Sequence, residues 1–115
     1  MKVFLLRGDP CPDRVSCPHL FATDRGTHIV QGHSSTDLAR QPGQAVVEIP
    51  LTLIPEIATR NHPDLHLTDR GTAVIRGAKV TDAETLAAIR LPADEDVVEL
   101  AQNFLPTWEA LPDAR

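Results

Sequence analysis

Tyrosine is absent from this sequence, and tryptophan occurs once. With only three phenylalanines beside it, the core has to be aliphatic, built from Leu, Val and Ile. Single-stranded nucleic acid stacks its bases on aromatic side chains, and there is no aromatic stripe here to receive them. Positive charge is also short. Eleven Lys and Arg face 16 Asp and Glu, for a net charge of −5 and a pI near 5.4. That balance argues against general affinity for nucleic acid or anionic lipid, which need clusters of Lys and Arg. No window holds 18 apolar residues, so no transmembrane helix is expected. A Gly-rich phosphate loop, a G-x-S-x-G elbow and an H-E-x-x-H pair are all missing. The expectation is therefore a protein that is not an enzyme and needs no cofactor.

What is present is one domain's worth of chain, 115 residues with 42% hydrophobic and 23% charged, an ordinary soluble composition. The opening apolar run Val3–Leu6 is too short for the core of a signal peptide. It reads as a first β-strand, and the location expected is cytoplasmic. Nine of the basic residues are Arg and two are Lys, and Ala and Pro are plentiful, as in GC-rich coding.

The strongest signal is a repeat. Thr-Asp-Arg-Gly-Thr occurs at Thr23–Thr27 and again at Thr68–Thr72. Extending the match aligns Cys17–Asp37 with His62–Asp82. Identities fall at Pro18/Pro63, Leu20/Leu65, the two Thr-Asp-Arg-Gly-Thr runs, Gly32/Gly77, Thr36/Thr81 and Asp37/Asp82. After an insertion in the second copy, Ala45–Pro50 aligns with Asp96–Ala101. Two copies point to a pseudo-twofold unit rather than a solenoid, which needs about three repeats. The repeat spans 17–51 and 62–102, with a Pro-punctuated linker at 55–61 and a frayed C-terminal tail at 106–115.

Each copy reads as ββαβ. Leu20–Thr23 and Thr27–Gln31 are short strands around Asp-Arg-Gly, where Gly supplies the positive φ of a three-residue hairpin loop and Asp can bond to amides ahead of it. In the second copy Thr81 and Glu84 match a capping box, and Ala83–Arg90 carries an apolar stripe through Leu86 and Ile89 until Pro92. Pro42-Gly43 cuts the matching helix of the first copy to one turn at most. A Val-Val-Glu strand follows in both. The expected fold is α+β, two tandem ββαβ-like units forming one compact, mainly antiparallel sheet or small barrel, with the first helix degraded. The expected core is Val30, Val47, Ile49, Val74, Ile75, Leu86, Ile89 and Val98. The half-units also resemble those of cradle-loop barrels, such as double-psi barrels and swapped-hairpin DNA-binding folds. Their Gly-Asp turn before the last strand is missing here, with Pro42-Gly43-Gln44 and Asp94-Glu95-Asp96 in its place.

Cys17-Pro18, Thr23–Thr27, Ile29-Val30-Gln31-Gly32 and the Val80-Thr81-Asp82 to Val97-Val98 run together resemble a family of small actinobacterial proteins. The resemblance covers most of Cys17–Asp37 and Lys79–Val98, and this chain departs from it by carrying the module twice. Members are often encoded near helix-turn-helix regulators. What the resemblance implies is a regulatory or adaptor role.

Hairpin turns do not require Arg. Arg25 and Arg70 either meet an acidic partner or pair with Glu48 and Glu99, and the sequence leaves both open. With Arg76 and Trp108 they form the candidate binding set. The function expected is a non-catalytic interaction or regulatory protein acting through a protein partner, with a helix-turn-helix regulator as one such partner. Two alternatives stand beside it. One is a zinc- or redox-sensing module using Cys11, Cys17 and His19, although C-x5-C-x-H is not a recognised zinc spacing. The other is a DNA-binding barrel using Arg25, Arg70, Arg76, Lys79 and Arg90.

Overall fold

The computed structural model describes residues 2–8, 18–59, 61–89, 94–101 and 104. They form seven strands, one α-helix and one 3-10 helix. In chain order these are β1 (Val3–Gly8), β2 (His19–Thr23), β3 (His28–Ser34), β4 (Gln44–Pro50), the 3-10 helix (Pro55–Thr59), β5 (Leu65–Leu67), β6 (Thr72–Lys79), α1 (Ala83–Ile89) and β7 (Glu95–Leu100). Every strand pairing is antiparallel. None of the described helices is long and apolar enough to cross a membrane.

Four strands pair in a closed circuit. β3 pairs β4, β4 pairs β6, β6 pairs β7, and β7 returns to β3. β2, with β1 outside it, extends from β3, and β5 extends from β6. The long pairings correspond residue for residue. β3 meets β7 from His28–Leu100 to His33–Glu95, and β6 meets β4 from Ala73–Ile49 to Ala78–Gln44. The short closing pairings correspond as well: His33–Glu48 and Ser34–Val47 on one side, Ala78–Glu99 and Lys79–Val98 on the other.

This arrangement buries both faces of the central strands. Val30, Val47, Ile49, Ile75 and Val98 belong to the main core. The opposite face presents Ile29 and Val97 to Val80, with Leu86 and Ile89 of α1 packed on them. His28–Gly32 is consequently buried at five positions in a row, which is why its sequence lacks the alternation of a half-exposed strand. Six of the eight expected core residues are fully buried, and Leu86 and Ile89 are half-buried. Ile57 also enters the core, as do Leu53 and Ile54 just before it, so the span read as a linker at 55–61 contributes apolar packing through Ile57. Its Glu56 is gripped from β1 by Arg7 through two hydrogen bonds of 2.8 and 2.7 Å.

The helix start differs from the capping box expected at Thr81. The Asp82 carboxylate accepts the Thr85 backbone N–H at 3.1 Å and also its hydroxyl. Asp82 is the residue directly before α1, and its short carboxylate reaches the third amide of the helix. In the first half, residues 37–43 form bends and a turn but no helix, with Gly43 at φ 76°. The tail at 106–115, Trp108, Arg90, Cys11 and Cys17 lie outside the described residues.

Candidate functional site

The two Thr-Asp-Arg-Gly-Thr runs fold into the same turn. Gly26 and Gly71 both sit at φ 77°, the left-handed position that glycine adopts without a Cβ penalty. Thr23 N–H donates to the Thr27 carbonyl and Thr68 N–H to the Thr72 carbonyl, each at 3.0 Å. The amides ahead are captured by threonine, not by aspartate. Thr23 Oγ1 accepts the N–H of Arg25 and of Thr27, both at 3.2 Å, and Thr68 Oγ1 does the same for Arg70 and Thr72 at 3.1 and 3.3 Å. Asp24 instead accepts the Lys2 N–H at 3.2 Å.

Each turn is then fastened to the other half of the chain. Thr27 Oγ1 donates to Glu99 and Thr72 Oγ1 donates to Glu48, both at 2.6 Å. Arg25 reaches Glu99 at 3.4 Å, and Arg70 reaches Glu48 at 3.1 Å and Asp37 at 3.0 Å. The Thr72 hydroxyl, reinforced by Arg70, holds the Glu48 carboxyl below the usual range against the opposing effect of burial. Of the two possibilities for Arg25 and Arg70, the structure therefore shows pairing with Glu99 and Glu48.

Arg76 stands apart from those two. Its guanidinium binds Asp64 at 2.9 and 2.7 Å and the Ala39 carbonyl at 2.9 Å. It thus ties β6 to the segments before β4 and β5. This pair lines a cavity of about 500 Å3. Ala78 and its ladder neighbours Gln44 and Glu99 line it as well. So do His62 and Phe104, whose ring centroids lie 4.7 Å apart at 58°. The Asp64 backbone N–H donates to His62 Nδ1 at 3.0 Å, which places the proton of the neutral ring on Nε2. Gln44 Oε1 is buried without a hydrogen-bond donor.

The corresponding place in the other half carries a different set. His33 occupies the register of Ala78, between Glu95 and Glu48. His19 Nδ1 meets Gln31 Oε1 at 3.2 Å, and Gln31 Nε2 donates to Glu95 Oε1 at 2.7 Å. Glu95 is 4% exposed, its Oε2 has no donor, and burial pushes its carboxyl above the usual range. Gln44 Oε1 and Glu95 Oε2, both buried acceptors without donors, thus stand at corresponding positions of the ladder. His19 of the sensing alternative is committed to Gln31, and its partners Cys11 and Cys17 lie outside the described residues. Among the described residues no three His, Cys, Asp or Glu converge as metal ligands.

Sequence reasoning missed Gln44, Asp64 and Phe104. The signal available was the mismatch of Ala78 with His33 inside an otherwise close repeat. No protein-family model matches the chain, and neither the curated proteins nor the solved structures gave a match.

Proposed function

We propose that the chain is a non-catalytic interaction protein of regulatory type, built from two fused copies of one ββαβ unit that close into a small barrel and working in the cytoplasm through a protein partner. The duplication is supported by the register, since His28–Leu100 and Ala73–Ile49 begin two pairings that run in step to His33–Glu95 and Ala78–Gln44. The first copy has a loop where the second has α1.

The observation that carries the functional reading is how the polar groups of the cavity are held. Asp64 is bound by Arg76, Glu99 by Thr27, and His62 Nδ1 by the Asp64 amide. Acid–base or nucleophilic catalysis needs a group poised to exchange a proton with substrate. Here those groups already serve as partners to one another, so the cavity offers shape and hydrogen bonding. Phe4 and Leu5 of β1 add exposed apolar surface, 49% and 52% accessible, at one end of the sheet. The kind of partner, a helix-turn-helix regulator, rests on the family resemblance.

The test is capture from a nuclease-treated lysate of the native host, read by mass spectrometry, with zinc measured on the purified chain. A stoichiometric protein partner that survives nuclease is the expected result. Recovery only of nucleic acid-dependent material, or a bare column, would refute the reading. Stoichiometric zinc would shift it toward the sensing alternative.

A further inference from the structure

β2 and β5 occupy corresponding places in the aligned sequence, Leu20, Phe21 and Ala22 against Leu65, His66 and Leu67. They also meet β3 and β6 in the same register. On its other side β2 carries β1, with Phe4 opposite Ala22 and Val3 opposite Thr23. Among the described residues, β5 carries no strand on that side. Exposure follows the difference. Leu20 is fully buried and Ala22 half-buried, whereas Leu65 is half-buried and Leu67 is 38% exposed. The backbone of β5 is set to accept a strand there. Thr68 N–H donates to the Thr72 carbonyl, and the Asp64 carbonyl accepts the Arg76 N–H, so Thr68, His66 and Asp64 bond toward β6. Alternation along an antiparallel ladder then turns the N–H and C=O of Leu67 to the outer side. An edge that presents such groups is a template for a further strand.

The covered edge shows what the open one fits. The Lys2 carbonyl accepts the Asp24 N–H at 3.1 Å, and the Lys2 N–H donates to Asp24 Oδ1 at 3.2 Å. Phe4 follows two residues on, on the same face of the strand. Asp69 and Leu67 stand where Asp24 and Ala22 do, and Asp69 is exposed. We propose that the outer edge of β5 docks an extended segment of a protein partner, added antiparallel, with a Lys or Arg opposite Asp69 and a large apolar residue two positions on, opposite Leu67. The basic residue answers both Asp69 and the net charge of −5. The apolar side chain covers Leu67 as a cross-strand neighbour does. The outer edge of β1 is a poorer place. Its ladder is irregular between Leu5 and Arg7, and a bulge bends an edge away from pairing. That the occupant is a protein rests on the partner reading above; the openness and polarity of the edge do not.

The probe is acetyl-Lys-Val-Phe-Leu-Leu-Arg-amide, the sequence of β1 with Lys2, titrated into the full chain and followed by amide NMR shifts. It is expected to bind with a Kd on the order of 1 mM, with the largest shifts at Leu67 and Asp69. N-methylation of the Phe amide removes the N–H opposite Leu67 and should weaken binding about tenfold. Glu in place of the leading Lys should weaken it about threefold. Leu67→Pro takes the outward N–H from β5 without touching the bonds to β6 and should abolish binding. Leu67→Lys, a charge guard on the edge, should weaken it about tenfold and tests the same contact if the proline variant does not fold. The proposal is overturned if Leu67 and Asp69 do not shift, if the shifts gather instead at Val3 and Leu5 or at Ala22 and Asp24, or if the methylated peptide binds like the unmodified one. It is overturned too if the folded variants bind like the parent. Shifts at Leu67 on concentrating the chain alone would also overturn it, giving the edge to a second copy. A lysate partner captured equally by the parent and by Leu67→Lys would sink this edge and leave the partner reading intact. Peptide binding at Leu67 beside a bare lysate column would sink that reading alone.

Discussion

Positions 33 and 78 occupy the same place in two strand ladders and hold different chemistry. His33 lies between Glu95 and Glu48, and Ala78 between Gln44 and Glu99. The Thr-Asp-Arg-Gly-Thr turns share the same threonine captures and the same 2.6 Å fastening of hydroxyl to glutamate. The halves are therefore alike where these threonines lock onto the opposite glutamate and different at positions 33 and 78. The repeated motif is an assembly device, and the interest lies in the residues that do not repeat. Each glutamate serves the turn of the opposite half, so neither half completes its own fastening.

The sharpest way to break the correspondence is at Gly32 and Gly77, where the strands crowd the backbone opposite. A Cβ on Gly32 would lie 2.6 Å from the Glu48 carbonyl oxygen and 2.7 Å from Ile49 Cγ2. On Gly77 the nearest atom is the Glu99 carbonyl oxygen at 3.0 Å. The obstacle is backbone in both cases and cannot swing away. Gly32→Ala should cost about 3 to 4 kcal/mol and Gly77→Ala about 1 to 2, read as urea midpoints. Equal losses would mean that the two ladders are packed alike after all.

His28 and Ala73 form the next pair. Both lie in equivalent registers, opposite Leu100 and Ile49, but only one titrates. Burial lowers the His28 pKa to about 4 from 6.5. In the unfolded chain the ring takes up a proton first, so stability is full above pH 6.5 and falls as pH drops toward 4. A loss of about 3 kcal/mol accompanies that fall. His28→Ala should remove the slope between pH 6.5 and 5. Retention of the slope in that variant would show that another group causes it.

Much of the frame was legible in the chain. Asp-Arg-Gly between β-type runs placed both hairpins, and Val-Val-Glu placed β4 and β7. The Arg–Glu pairing was one of two options the sequence left open, because choosing requires knowing that β7 lies against β3. Threonine's part was harder to see. A hydroxyl that caps its own turn locally and a second that reaches the other half look the same in a sequence. The burial of Leu53, Ile54 and Ile57 was hidden by Pro55, which reads as punctuation although Pro also begins helices comfortably. The cavity was invisible for a different reason. Its lining comes from segments far apart in the chain, and only the register shows that Gln44 and Glu99 flank Ala78.

The smallest expected effect sharpens the same contrast at Gln44 and Glu95, both buried acceptors. Glu95 keeps one oxygen bonded to Gln31 at 2.7 Å while the other has no donor. Burial raises its pKa, with Gln31, His33 and His19 working the other way and Asp94 adding to the rise. A carboxyl raised in the folded state contributes stability below its unfolded pKa. That contribution is lost as pH climbs through the folded value, where the buried group must ionise. Glu95→Gln would make this half resemble the Gln44 half while retaining an oxygen for Gln31. It should therefore be close to neutral at pH 4 and stabilising by under about 1 kcal/mol at pH 8, measured as paired urea midpoints. A variant that is destabilised at pH 8 would mean that the Glu95 charge is held by something the His19–Gln31 chain does not supply. The registers of Glu95 and Gln44 would then differ in how a buried acceptor is held as well as in sequence.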